Sequence, residues 1–195
     1  MQIDLEMNKI RFSRYLCLAL NGKGKPLLMY LERNGFFEAP CSAGHHLNVD
    51  GGLCEHSLMV MEFALILSTL YRLPFSTSSI IITALLHDVH KMFLYEKKKG
   101  VWQCKSANAK GKISKSHSSV KLHGQWSVQI LQGFISLTKM EREMILWHMG
   151  PYTDYYDHHK VGDFLDWSSD KSNINKHAAL FLYFCDHFST MFLED

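Results

Sequence analysis

Residues 80–91 read IIITALLHDVHK, an apolar run that ends in a histidine, an aspartate and a lysine. Everything before His87 reads as core, so His87 and Asp88 stand where an unpaired charge is costly. A salt bridge, a hydrogen-bond network or a metal ion can compensate them, and the rest of the chain decides between these.

Helical periodicity dominates that chain. After Gly51-Gly52, the residues Leu53, Val60, Phe63, Leu67 and Leu70 follow the three–four spacing of a buried face, and His56 falls on the same stripe. Ile80, Ala84, His87 and Lys91 share a face, with Asp88 beside them. His123 lines up with Trp126, Ile130 and Phe134, and His148 continues Leu137, Met140 and Met144. Asp186 lies on the face of Ala179 and Leu182. One inward histidine is usually a satisfied core residue. Four histidines and two aspartates on separate helices satisfy one another only by converging, and imidazole nitrogens with carboxylate oxygens are ligands for borderline transition metals. A carboxylate with two histidines on either side is also a two-metal arrangement. The pattern therefore points to a metal centre.

The expected helices are Ile10–Leu20, Pro26–Asn34, Leu53–Arg72, Ser78–Met92, Leu122–Ile135, Lys139–Met149 and Asn175–Phe192. Thr138 with Glu141 three residues later predicts a capping box, and Gly150-Pro151 a stop. Phe93–Glu96 and Val101–Cys104, either side of a Lys-Lys-Lys-Gly turn, predict a small hairpin. The Gly/Ser/Lys-rich stretch from Ser106 to Ser119 reads as a mobile loop. With 195 residues and 47% hydrophobic content, one core suffices, and the fold class expected is all-α.

Between Glu96 and Lys121 eight lysines face one acid, against a net charge of only +2 for the chain, so the basic charge is concentrated there. Such a segment attracts an anionic substrate or a nucleic acid backbone. Five unpaired-looking cysteines read as reduced thiols rather than a disulfide framework. The N-terminus lacks the pattern of a secretory signal, and Glu62, Ser68 and Thr69 interrupt the longest apolar segment, so the expectation is a cytoplasmic protein without a membrane span.

His56, the adjacent His87-Asp88 pair and Asp186, in that order on successive helices, resemble the H…HD…D signature of the HD-domain superfamily of metal-dependent phosphohydrolases. His123 and His148 between them resemble its six-ligand, binuclear branch, which includes phosphodiesterases, 3′–5′ exoribonucleases and di-iron oxygenases. The resemblance implies a helical bundle over residues 1–195, with a core at about 45–192, helices 10–34 packed on it, and a hairpin and Lys-rich loop after the HD pair. It places one metal on His56, His87, Asp88 and Asp186 and another on Asp88, His123 and His148, with Asp88 bridging. The ions implied are one or two of manganese, iron, nickel, cobalt or zinc. "GHHLNVDGGLCEHS" also looks like the exoribonuclease and relaxase-associated branch, where a histidine loop and a Gly-Gly-Leu turn precede the first ligand, so His45 or His46 is expected to line the pocket. His90 stands where the common form of the motif has glycine.

The function so implied is hydrolysis of a phosphoester in a nucleotide, cyclic nucleotide or short oligonucleotide by a metal-bound hydroxide. Asp88 and Lys91 are the catalytic candidates, and Lys91, His46, Lys97, Lys98 and Lys99 the substrate-binding ones. The alternatives are a mixed-valent di-iron oxygenase on the same ligands and a non-catalytic nucleotide-binding module.

Overall fold

The computed structural model describes residues 3–44, 46–105, 122–150 and 173–194. The expected loop from Ser106 to Ser119 and the candidate His45 lie outside them.

Helix α1 spans Leu5–Ala19, five residues earlier than apolar periodicity alone places its start. The reason is Asp4, whose carboxylate accepts from the Met7 N–H at 3.0 Å and so satisfies one of the free donors of the first turn. Helix α2 (Lys25–Arg33) opens with Pro26, whose fixed φ suits the first turn. Helix α3 (Gly52–Leu70) buries His56 and Leu58 among its inward residues. By length and composition it is long enough and apolar enough to cross a membrane, yet half of that window is buried inside the fold.

The expected helix 78–92 is two elements. Helix α4 runs Thr77–Leu86 from a Ser76 cap, and after His87 the chain tightens into a 3-10 turn, Val89–Phe93. The break has a geometric consequence: residues three apart eclipse one another in a 3-10 turn. The Lys91 N–H bonds Asp88 O at 2.8 Å, and the two side chains are brought to the same side.

Strands β1 (Tyr95–Lys98) and β2 (Val101–Cys104) pair antiparallel with Tyr95 opposite Cys104 and Lys98 opposite Val101. The turn is thus two residues, Lys99-Gly100, not the four expected from the sequence. Both have positive φ, 51° and 81°, the geometry that matches strand twist in tight hairpins.

Helix α5 is His123–Leu131, shorter than expected, and α6 is Lys139–Trp147. The predicted capping box is formed, with Glu141 N–H on Thr138 Oγ1 and Thr138 N–H on the Glu141 carboxylate. The other Glu141 oxygen accepts from Ser79 Oγ at 2.8 Å, tying α6 to α4. Helix α7, Ile174–Phe192, packs on α3 and α6. Phe12, Leu31, Leu58, Leu85, Ile145 and Leu182, from six helices, belong to one buried cluster. The described residues therefore form an all-α bundle with one small hairpin.

Candidate metal centre

All six expected ligands are buried: His56, His87, His123 and His148 completely, Asp88 and Asp186 to within 1% and 9%. Each arrives from a different piece of local structure. His56 is on the first turn and a half of α3, His87 ends α4, and Asp88 begins the 3-10 turn. His123 opens α5, His148 ends α6, and Asp186 lies on α7. Gly124 allows α5 to meet α6 there. A Cβ on it would lie 2.9 Å from Ile145 O and 3.3 Å from His148 Cε1, closer than side chains pack.

The hydrogen bonds on the outer edges of three imidazoles fix their chemistry. His87 Nδ1 lies 2.8 Å from Ala84 O, His148 Nδ1 2.6 Å from Ile145 O, and His56 Nδ1 2.5 Å from Glu194 Oε1. Those oxygens only accept, so the proton of each neutral ring sits on Nδ1 and its Nε2 carries a lone pair. The Nε2 atoms then converge. His56 Nε2 is 3.1 Å from His87 Nε2, and His123 Nε2 is 2.8 Å from His148 Nε2.

Two carboxylates stand among them. Asp88 Oδ1 lies 2.9 Å from His123 Nε2 and 3.2 Å from His148 Nε2. Its Oδ2 lies 3.3 Å from His87 Nε2 and 3.7 Å from His56 Nε2. Asp186 Oδ1 is 3.1 Å from His56 Nε2. Both Asp88 oxygens are buried without a well-formed hydrogen bond. Lone pairs facing one another away from water are unfavourable unless a proton or a cation lies between them. Three overlapping triads have donor atoms all within 4.8 Å of one another: His56-His87-Asp88, His87-His148-Asp186 and Asp88-His123-His148. The donor chemistry thus fits divalent transition ions.

Lys91 Nζ is 2.6 Å from Asp88 Oδ2, and its side chain is only 10% exposed. Burial penalises both charges, but each outweighs it for the other. The ammonium, with His87 and His123, holds Asp88 well below the usual carboxylate range, and Asp88, with Cys41, holds Lys91 well above its usual value. Burial likewise opposes charge on His56, while Cys41, Asp186 and Glu194 around it raise its pKa well above the ordinary imidazole value. Burial and the neighbouring His123 push His90 down to about 4. His90 stacks on Trp126 with ring centroids 6.0 Å apart, and its φ is not in the left-handed region, so the glycine common at this position is not required here.

A family model described as "HD domain" matches residues 53–191. The chain belongs to the HD-domain family. A dihydroneopterin 2′,3′-cyclic phosphate phosphodiesterase from Methanocaldococcus jannaschii is 38% identical over 65 residues, covering 31% of this chain and 26% of that protein. The chain thus matches about a quarter of that relative's length. No solved structure matches the chain.

Of the other sequence candidates, His46 sits one layer out from the HD centre. Its ring centroid is 5.7 Å from that of His56, with Nε2 3.2 Å from Cys41 Sγ. Lys97 and Lys98 are engaged by acids. Lys97 Nζ lies 2.7 Å from both Asp50 oxygens, and Lys98 Nζ lies 2.5 Å from Glu96 Oε1. Lys99 is exposed in the hairpin turn. Sequence reasoning missed Cys41 and Glu194. The Glu194 side chain is 1% exposed although it lies just past the end of α7, and its signal was a spacing of eight from Asp186. Cys41 carried no signal, because it lies in a loop with no periodicity. Burial pushes its thiol up, but His56, Lys91 and His46 pull it down to about 7.

Proposed function

We propose that this HD domain hydrolyses a phosphoester of a nucleotide, cyclic nucleotide or short oligonucleotide, using divalent transition ions held by His56, His87, Asp88, His123, His148 and Asp186. The observation that carries this reading is the division of one carboxylate: Asp88 Oδ1 faces His123 and His148, while Oδ2 faces His87, His56 and the Lys91 ammonium. Asp88 would then be the residue shared between two bound ions, and the phosphodiesterase named among the relatives supports the reaction class.

When bound, such ions polarise phosphoryl oxygens and acidify water. The remaining work belongs to the chain. Ala84 O, Ile145 O and Glu194 each hold an imidazole in one tautomer and one orientation, so the Nε2 atoms are set before any ligand arrives. Lys91 keeps its proton and supplies a fixed positive charge beside the centre, where charge grows on the phosphoryl oxygens during displacement. The helical packing around these groups excludes bulk water and strengthens that interaction.

The test is turnover by metal-free protein reloaded with manganese under anaerobic conditions. Bis-(p-nitrophenyl) phosphate, 2′,3′-cyclic nucleotides and short single strands are the substrates. Hydrolysis of at least one, abolished by chelator, is expected. Activity that appears only with iron and oxygen would replace this reading with an oxygenase, and tight nucleotide binding without turnover would replace it with a binding module.

A further inference from the structure

A second group of ligand-type side chains lies on the outer side of His56, beyond the six ligands assigned above. Cys41 Sγ is 3.2 Å from His46 Nε2, and His46 Nε2 is 3.8 Å from Glu194 Oε2. One donor atom from each of these three residues and one from His56 all lie within 4.8 Å of one another. With bonds of about 2.3 Å to sulfur and about 2.0–2.2 Å to nitrogen or oxygen, a tetrahedral ion sets neighbouring donors about 3.3–3.6 Å apart. The 3.2 Å and 3.8 Å separations around His46 Nε2 bracket that range.

Glu194 shows which atoms are spoken for. Its Oε1 accepts from His56 Nδ1 at 2.5 Å. Its Oε2 is buried, has no hydrogen-bond partner, and faces His46. Cys41 is fully buried. A buried carboxylate oxygen left unbonded beside an imidazole nitrogen and a sulfur is costly unless something electropositive joins them.

The loop carrying two of these groups is braced. Cys41 N–H donates to Leu47 O at 3.1 Å, and Ser42 Oγ donates to His46 O at 2.9 Å. It closes directly onto the first residue of α3, because Gly52 has no side chain: a Cβ there would lie 2.1 Å from Leu47 O. The Gly-Gly turn therefore positions Cys41 and His46 as well as starting the helix that bears His56.

We propose that Cys41, His46 and Glu194 form a further cation site, separate from the Asp88 centre, that takes zinc or a similarly borderline divalent ion with a solvent molecule completing the tetrahedron. The thiol proton leaves to solvent on binding, and Glu194 links the two sites by keeping its other oxygen on the His56 Nδ1–H. The ion pins the chain just beyond α7 to the loop before α3, with the first HD ligand between them.

Cobalt(II) loading of the full-length apo protein tests this without substrate. The Asp88 centre contains no thiolate, so a near-ultraviolet thiolate-to-cobalt absorption band reports only a cysteine-bearing site. A band whose full amplitude corresponds to one cobalt–thiolate site per chain, reached once enough cobalt is added to fill the Asp88 centre as well, is expected in the wild type. It should be lost in Cys41→Ser and weakened at least tenfold in affinity in His46→Ala, which alters a partly exposed loop residue and spares the core. His123→Ala should lose cobalt from the Asp88 centre and keep the band. Absence of the band in wild type, or its survival in both Cys41→Ser and His46→Ala, would overturn the proposal. Because hydrolysis is not read, either result is independent of the phosphohydrolase reading.

Discussion

Lys91 Nζ lies 2.6 Å from Asp88 Oδ2, so a buried ammonium rests on the carboxylate that both histidine pairs surround. Replacing Lys91 with Met keeps the length and packing of the stem and removes the charge. We expect it to retain bound metal and to lower phosphoester kcat/KM by about 10²–10³, the scale of losing one oriented electrostatic contact. Elemental analysis alongside steady-state kinetics checks this. Full activity in Lys91→Met would remove Lys91 from the catalytic set.

Asp88 and His123 should differ in kind. Asp88 faces both histidine pairs, His56 and His87 through Oδ2 and His123 and His148 through Oδ1, whereas His123 and His148 lie on its Oδ1 side. Asp88→Ala is therefore expected to lose every ion of the centre, and His123→Ala or His148→Ala to lose one. Metal content after gel filtration decides it; equal losses in all three variants would mean that Asp88 does not bridge.

Much of this was legible in the sequence because burial and chemistry disagree at few positions. His56, Asp88 and Asp186 stand out as ionisable groups on apolar stripes, and helical period is a strong signal for such faces. What stayed hidden depends on local geometry or on contacts distant in sequence. The helix break after His87 leaves the apolar pattern unchanged, since a 3-10 turn and an α-helix bury nearly the same residues. Lys97 reads as a free basic residue in sequence, but Asp50, 47 residues earlier, holds it. Beyond its spacing from Asp186, Glu194 carries no periodic signal in the sequence, and only the packing of α7 on α3 brings it to His56.

Gly124→Ala should act on the centre without replacing a ligand. The added methyl would meet Ile145 O at 2.9 Å, Leu146 O at 3.0 Å and His148 Cε1 at 3.3 Å, and backbone oxygens in a packed helix yield little. We expect a stability loss of about 1–3 kcal/mol, the usual cost of overpacking. The ion facing His123 and His148 should weaken before the one facing His56. Thermal denaturation with metal titration checks both; unchanged affinity at both positions would show that α5 and α6 can move apart freely.

The hairpin is fastened to the start of α3 through one acid, which predicts a pH and salt response of its own. Lys97 Nζ bonds both oxygens of Asp50, and Trp102 Nε1 donates to Asp50 Oδ1 at 2.7 Å. The Lys97 bond first, then Trp102, hold the Asp50 carboxyl below its ordinary value against a small opposing effect of burial. A depressed carboxyl stabilises above its unfolded pKa of about 3.9 and loses that contribution as pH falls through the lower folded value. Fastening should therefore be complete at neutral pH and fail only in acid. The pair is partly exposed, so it contributes no more than about 0.2–1 kcal/mol and weakens with salt. Asp50→Asn at neutral pH should reproduce the acid state, with faster hydrogen exchange at the amides of 95–104 and no change in metal content. If exchange in this segment is the same in wild type and variant, the strand pairing alone holds the hairpin and Lys97 is available to an anionic substrate.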